Sequence, residues 1–175
     1  MGFDGRTPRR SAAILVAAVL IVAGAACGGD DGGAGSERLP ALELPRLGEG
    51  DPLALDTIDG PAVVNLWATW CAPCRRELPD FQEVHEQRGD EVRFVGVNIG
   101  DRAGPASAFL DEVDVTFENY LDFEGRLTEE LRTATMPVTV ITDRDGDIAV
   151  VHSGPMDVDQ LTDQIELVLS GAPGP

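Results

Sequence analysis

The fold of this chain is decided by residues 66–79, which read Leu-Trp-Ala-Thr-Trp-Cys-Ala-Pro-Cys-Arg-Arg-Glu-Leu-Pro. A cysteine pair stands here between an apolar run at residues 62–68, typical of a buried strand, and a segment with helical spacing. Backbone N–H groups at a helix N-terminus lack partners within the helix and stabilise a thiolate. Because the thiolate is the attacking species, Cys71 is the predicted nucleophile and Cys74, one turn on, the predicted resolving cysteine.

Other uses of the cysteine pair fit the sequence less well. A structural zinc site needs four ligands, and the two histidines, His85 and His152, lack zinc-finger spacing. No metal site is therefore predicted, and no cofactor beyond the redox-active disulfide of Cys71 and Cys74. A structural bridge of this spacing would restrain little chain entropy. Copper(I) binding by the two thiolates, as in a metallochaperone, and an inert bridge in a binding module remain open.

The rest of the chain alternates strand patterns with helix patterns. Strands are predicted at residues 53–58, 62–68, 92–99, 117–121, 137–142 and 148–153, and helices at about 71–87, 106–113, 124–131 and 158–169. Asp145-Gly146 predicts a hairpin turn between the last two strands. Right-handed crossovers would make the early strands parallel. The predicted class is α/β, a central mixed β-sheet flanked by helices on both faces.

The motif resembles the signature of the TlpA/ResA-like, membrane-associated thioredoxin-fold disulfide reductases. Trp70-Cys71-x-x-Cys74 is general to thioredoxin folds, and Glu77-Leu78-Pro79 is more particular to this branch. The likeness runs from about Leu39 to Leu169 and implies a thioredoxin-like fold. In the family, the glutamate at the position of Glu77 takes part in the proton chemistry of the sulfurs. We therefore group Glu77 with Cys71 and Cys74 as catalytic residues, since a partly desolvated carboxylate can accept a thiol proton.

A second mark of the resemblance is Thr135-Met136-Pro137-Val138-Thr139. In thioredoxin folds a cis-proline begins the strand that faces the C-x-x-C motif, and Pro137 matches that position. The resemblance implies a cis Met136–Pro137 bond and a Met136 backbone that pairs with substrate as an added strand. It places Trp70, Met136 and Pro137 at the substrate-binding surface.

The N-terminus is typical of an export signal. Three arginines precede fifteen uncharged residues, Ala12–Ala26, which is short for a membrane-spanning helix. Residues 1–26 are therefore predicted to be a signal peptide. Cys27 follows at once and resembles a bacterial lipoprotein maturation site, so it is the predicted lipidation site. Residues 27–38 form a Gly/Asp-rich flexible linker and residues 39–171 the thioredoxin-like domain.

The charge of the chain limits its partners. The formal net charge is −18, which repels phosphates and argues against nucleic acid. We expect a monomer tethered to the outer face of the cytoplasmic membrane, or secreted. Its partners would be thiols or disulfides of exported proteins, apocytochromes among the candidates, and a membrane electron donor. The resemblance favours a disulfide reductase. A thiol oxidant is the competing enzyme, and a peroxide reductase fits less well, because it uses a peroxidatic cysteine in different surroundings.

Overall fold

The computed structural model describes residues 37–171. Its centre is a five-stranded sheet in the order β5-β4-β3-β6-β7, in which β3, β4 and β5 are parallel and β6 and β7 antiparallel. The strands are β1 Glu43–Leu44, β2 Leu53–Ala54, β3 Ala62–Trp67, β4 Arg93–Ile99, β5 Glu118–Asp122, β6 Val138–Thr142 and β7 Ile148–Ser153; the helices are α1 Ala72–Arg88, α2 Ala103–Glu112, α3 Arg126–Glu130 and α4 Val158–Leu169. The predicted α/β class and mixed sheet are confirmed.

The two faces of the sheet carry two separate apolar clusters. Successive side chains of a strand point to opposite faces, so Val63 and Trp67 of β3 face the buried residues of α1, α2 and α4. Val64 and Leu66 face the other way, toward α3 and the segment that leads into the sheet. All six residues of β3 are buried, as the continuous apolar run predicts for a central strand.

The leading segment, residues 37–58, crosses the second face and reaches both edges of the sheet. The Ile148 N–H donates to the Glu37 carbonyl at 2.7 Å, beside β7, and the Leu121 N–H donates to the Pro45 carbonyl at 2.9 Å, beside β5. The segment therefore pairs with part of each edge strand, β5 and β7, whose backbone groups would otherwise be unsatisfied.

The predicted strand at residues 53–58 is wrong beyond its first two residues. Leu55–Thr57 form a 3-10 turn instead, closed by the Ile58 N–H, which donates to the Leu55 carbonyl at 3.1 Å. The turn allows both Leu55 and Ile58, which are 0% and 2% exposed, to pack into the core. An extended strand would point residues three apart to opposite faces.

The other predicted elements differ from the observed ones by only a few residues at their ends. α2 begins three residues earlier than predicted, α3 is shorter at its start, and α4 has the predicted bounds. An Asp157–Gln160 capping box begins α4, which explains its well-defined start.

Candidate active site

Cys71 and Cys74 lie where the central strand ends and α1 begins, and they form a disulfide. Cys71 is the N-cap of α1, and its sulfur accepts from the Cys74 N–H at 3.3 Å. Pro73 occupies the first turn of the helix, where its missing N–H costs nothing. Cys71 is 5% exposed and Cys74 is fully buried, so only the first sulfur is open to attack from outside.

The loop before Cys71 is held by two residues that sequence reasoning missed. Asp101 accepts from the Thr69 N–H at 2.7 Å and from the Thr69 hydroxyl at 2.8 Å. Asn98 donates to the same carboxylate at 2.9 Å. Asp101 follows β4, and β4 is parallel to β3. The carboxyl ends of these two strands therefore lie at the same end of the sheet. The sequence did carry a signal for Asp101, since it places this carboxylate just after a predicted strand that lies parallel to the strand before the cysteine pair.

Glu77 lies on the buried side of α1, the helix that begins at the cysteine pair, and is 2% exposed. Its Oε1 accepts from the side-chain amide of Asn65 on β3 at 2.9 Å, and its Oε2 accepts from the Met156 N–H at 3.1 Å. Both partners are neutral donors, and the described residues provide no ion pair to this carboxylate. Glu77 is three residues beyond Cys74, so the two can share one side of the helix.

Burial raises the pKa of Glu77 from its ordinary 4.5 to about 7, because desolvation penalises the charged form more than the Asn65 and Met156 hydrogen bonds stabilise it. Repulsion from Asp80 adds to the rise. A cleft of about 210 Å³ that is lined by Glu77, Arg76, Asp80, Asp157 and four further residues opens beside it. The Glu77 carboxyl therefore gains or loses its proton near neutral pH. The cleft next to it opens to solvent.

The predicted substrate-binding residues lie at the same end of the sheet. Trp70 is the more exposed of the two tryptophans, at 64%. The Met136–Pro137 bond is cis, as expected, and Pro137 precedes β6, whose Val138 pairs with Leu66 near the end of β3. Met136 is half-buried and packs against the apolar cluster that contains both sulfurs. The structure therefore places Trp70, Met136 and Pro137 at the end of the sheet where the cysteine pair lies.

Other candidate residues lie outside this site. His85 is half-buried, with its ring against Phe94 and Phe117, and His152 lies on β7 opposite Thr139. Within residues 37–171, no three side chains of His, Cys, Asp or Glu converge as metal ligands would. Cys27, the signal peptide and most of the linker fall outside the described residues.

Known proteins resemble this chain in sequence. Residues 36–151 match the AhpC/TSA family. The chain is 29% identical to sporulation thiol-disulfide oxidoreductase A of Bacillus subtilis, over 73% of this chain and 80% of that protein. It is 33% identical to the thiol:disulfide interchange protein HelX of Rhodobacter capsulatus, over 79% and 78%.

Solved structures share the fold. MTB dsbF superposes with a TM-score of 0.68 at 26% identity, over 74% of this chain and 96% of that one. In the described part of the chain, no helix is both long enough and apolar enough to cross a bilayer.

Proposed function

The chain belongs to the AhpC/TSA family and is a thiol–disulfide oxidoreductase, and we propose that it reduces disulfides of exported proteins outside the cytoplasm. The observation that carries the proposal is the Cys71–Cys74 disulfide at the start of α1 beside a buried carboxyl whose pKa is raised to about 7. Such a carboxyl can both take and return a thiol proton at neutral pH.

The proposed reaction begins with the reduced pair. The Cys71 thiolate attacks a substrate disulfide, forms a mixed disulfide and releases the first substrate sulfur as a thiolate. The Cys74 sulfur then attacks the Cys71 sulfur, which closes the Cys71–Cys74 disulfide and releases the second substrate sulfur. Two electrons pass from the dithiol to the substrate disulfide. A membrane electron donor would return the pair to its reduced form.

Cys74 is fully buried, so its thiol proton has no direct path to solvent when Cys74 attacks. We propose that Glu77 takes the Cys74 proton as Cys74 attacks and passes it on to the departing substrate thiolate. The cleft beside Glu77 would then let the carboxyl exchange its proton with solvent between turnovers.

Trapping of mixed disulfides tests the exchange reaction. Cys74→Ala should accumulate adducts with exported proteins on Cys71, and the double variant with Cys71→Ala should accumulate none. The wild type should reduce insulin disulfides when supplied with dithiothreitol. The proposal would be rejected if the wild type did not reduce insulin and the Cys74→Ala variant trapped no mixed disulfide.

The direction of electron flow is tested by the reduction potential of the pair. A reductase should equilibrate with glutathione at a potential below that of the surrounding compartment, whereas a strong thiol oxidant would equilibrate far above it. Copper(I) titration of the reduced protein tests the metallochaperone alternative, since only that function requires tight binding by Cys71 and Cys74.

The proposed cellular location depends on residues that the structure does not describe. We propose that residues 1–26 are removed on export and that lipid on Cys27 anchors the domain to the membrane. Cys27→Ala should move the protein from the membrane fraction to the soluble fraction of the cell envelope. An unchanged membrane fraction would reject the lipid anchor while leaving the exchange chemistry intact.

A further inference from the structure

Asn65 is a buried polar residue in the middle of the central strand, and its two side-chain atoms have unequal surroundings. Its Nδ2 donates to Glu77 Oε1 at 2.9 Å and lies 3.5 Å from the Thr139 hydroxyl. Its Oδ1 is buried and has no hydrogen-bond partner among the described residues. An unsatisfied buried oxygen is costly, so its place beside the catalytic carboxyl calls for an explanation.

The two protonation states of Glu77 need different partners. The ionised carboxylate only accepts hydrogen bonds, whereas the neutral acid also donates through its O–H. A side-chain amide is uncharged and carries a donor and an acceptor on two groups of nearly the same shape. Turned over about its Cβ–Cγ bond, the Asn65 amide would present Oδ1 to the Glu77 O–H.

Thr139 allows this exchange of partners. It lies opposite Asn65 in the pairing of β3 with β6, and it is fully buried. Its hydroxyl can accept from the amide nitrogen or, after rotation, donate to the amide oxygen. In each orientation one amide atom contacts both Glu77 and Thr139, and the other amide atom remains without a partner.

We propose that Asn65 is a positioning residue for the proton of Glu77, its amide donating to the carboxylate and, turned over, accepting from the neutral acid. The inference rests on the proposed role of Glu77 and adds the partner that serves both of its states. Strands β3 and β6 present only neutral groups here, Asn65 and Thr139. The charged groups near Glu77 are Asp80 and Arg76 on α1 and Asp157 at the start of α4.

The titration of Glu77 is the direct test, read from its carboxyl ¹³C resonance in the oxidised and the reduced protein. Asn65→Leu removes the donor and the acceptor and keeps the branched shape of the side chain. It should raise the pKa of Glu77 by about one unit or more, a tenfold gain in proton affinity, because the lost bond to the ionised form is the stronger one. The pH profile of thiol alkylation in the reduced protein should move with it.

Asn65→Asp keeps the shape and replaces the amide by a second carboxyl. The two carboxyls should then titrate as a coupled pair, in one step below and one step above the single step of the wild type. This variant also keeps the inference testable if Asn65→Leu does not fold.

Asn119→Ala is the matched control, because Asn119 is another buried amide of the same sheet. It accepts from Trp67 Nε1 at 2.8 Å and donates to the Phe117 carbonyl at 2.9 Å, without a hydrogen bond to Glu77. Its loss should lower stability and leave the Glu77 titration unmoved. An Asn65→Leu protein with the wild-type titration, or an Asn119→Ala protein with an equal shift, would overturn the inference.

The turning of the amide has its own signature. Nuclear Overhauser contacts from the Asn65 amide protons to Glu77 should be strong above the Glu77 pKa and weaken below it. Contacts that stay constant through the titration would also overturn the inference. Since these measurements need no thiol exchange, failure of the wild type to reduce insulin would count against the proposed function alone.

Discussion

Glu77 and Glu118 are two carboxyls withdrawn from solvent in the same domain, and their surroundings differ in kind. Glu77 is buried against neutral donors, an amide and a backbone N–H. Glu118 is half-buried and receives hydrogen bonds from Arg46, Arg93 and Tyr120. Burial by itself would raise the pKa of both. For Glu118 the hydrogen bonds from Arg93 and Tyr120 and the charges of Arg93 and Arg46 outweigh burial and lower its pKa.

The difference separates a carboxyl whose pKa is raised to about 7 from a carboxyl that is held ionised and joins elements of the fold. Glu118 remains ionised through the neutral range and ties Arg46 of the leading segment to β4 and β5. Within residues 37–171 Glu77 forms no ion pair, and burial raises its pKa to about 7. A buried carboxyl without a counter-ion is therefore the better candidate for catalysis, since structural pairs depress the pKa instead.

The largest expected effect concerns stability against pH. Glu77 binds its proton more tightly in the native state, so its contribution is complete below pH 4.5 and is lost as the pH rises through about 7. The free energy of unfolding of the oxidised wild type, relative to Glu77→Gln, should fall by about 3 kcal/mol across that range. Urea unfolding of both proteins from pH 4.5 to 8 measures it. A constant difference would show that Glu77 does not titrate there.

The second effect concerns the rate of disulfide exchange. Glu77→Gln cannot accept a proton, and its exchange rate at pH 7 should fall about a hundredfold, the lower range for general acid–base catalysis. Glu118→Gln should keep the wild-type rate, because Glu118 contacts none of the sulfurs' neighbours described above. Stopped-flow reduction of a model disulfide compares the two variants. Equal losses of exchange rate in the two variants would show that the two carboxyls do not differ in their effect on exchange.

The third effect concerns the stability supplied by Glu118. Glu118→Gln should lower the free energy of unfolding at pH 7 by about 1–2 kcal/mol, a modest value because Arg46 and Arg93 are partly solvated. The lowered pKa of Glu118 means that this contribution is present above its ordinary value of 4.5 and is lost as the pH falls below it. The free energies of unfolding of wild type and variant should therefore converge as the pH falls below 4.5. A gap that persisted in acid would need another cause.

The smallest expected effect concerns salt. At 1 M salt the Glu118 contribution should shrink by about 0.5 kcal/mol, because the exposed parts of its arginine partners are screened. The pKa of Glu77 should hardly move, since burial and not a counter-ion sets it. Repeating the unfolding and ¹³C titrations at low and high salt gives both numbers. A large salt shift at Glu77 would reveal a charged partner.

Parts of the molecule with a local pattern were predictable. The bounds of α4, the hairpin of β6 and β7 and the burial of β3 all follow from periodicity and turn residues within short stretches. The family resemblance added Glu77 and the cis bond before Pro137. The strand predicted at residues 53–58 failed because local alternation does not show that Leu55 and Ile58 must reach the same core.

By itself, the sequence determined the cysteine pair, its place between a buried strand and a helix, and the order of the elements around it. Only the tertiary structure decided which groups surround the sulfurs. Met156 lies 79 residues from Glu77, and Asp101 lies 32 residues from Thr69. Their hydrogen bonds depend on the register of parallel strands and on how α1 and α4 pack, which no short stretch encodes. The cysteine pair can therefore be identified from the sequence, whereas the surroundings of the Glu77 carboxyl form only when the chain folds.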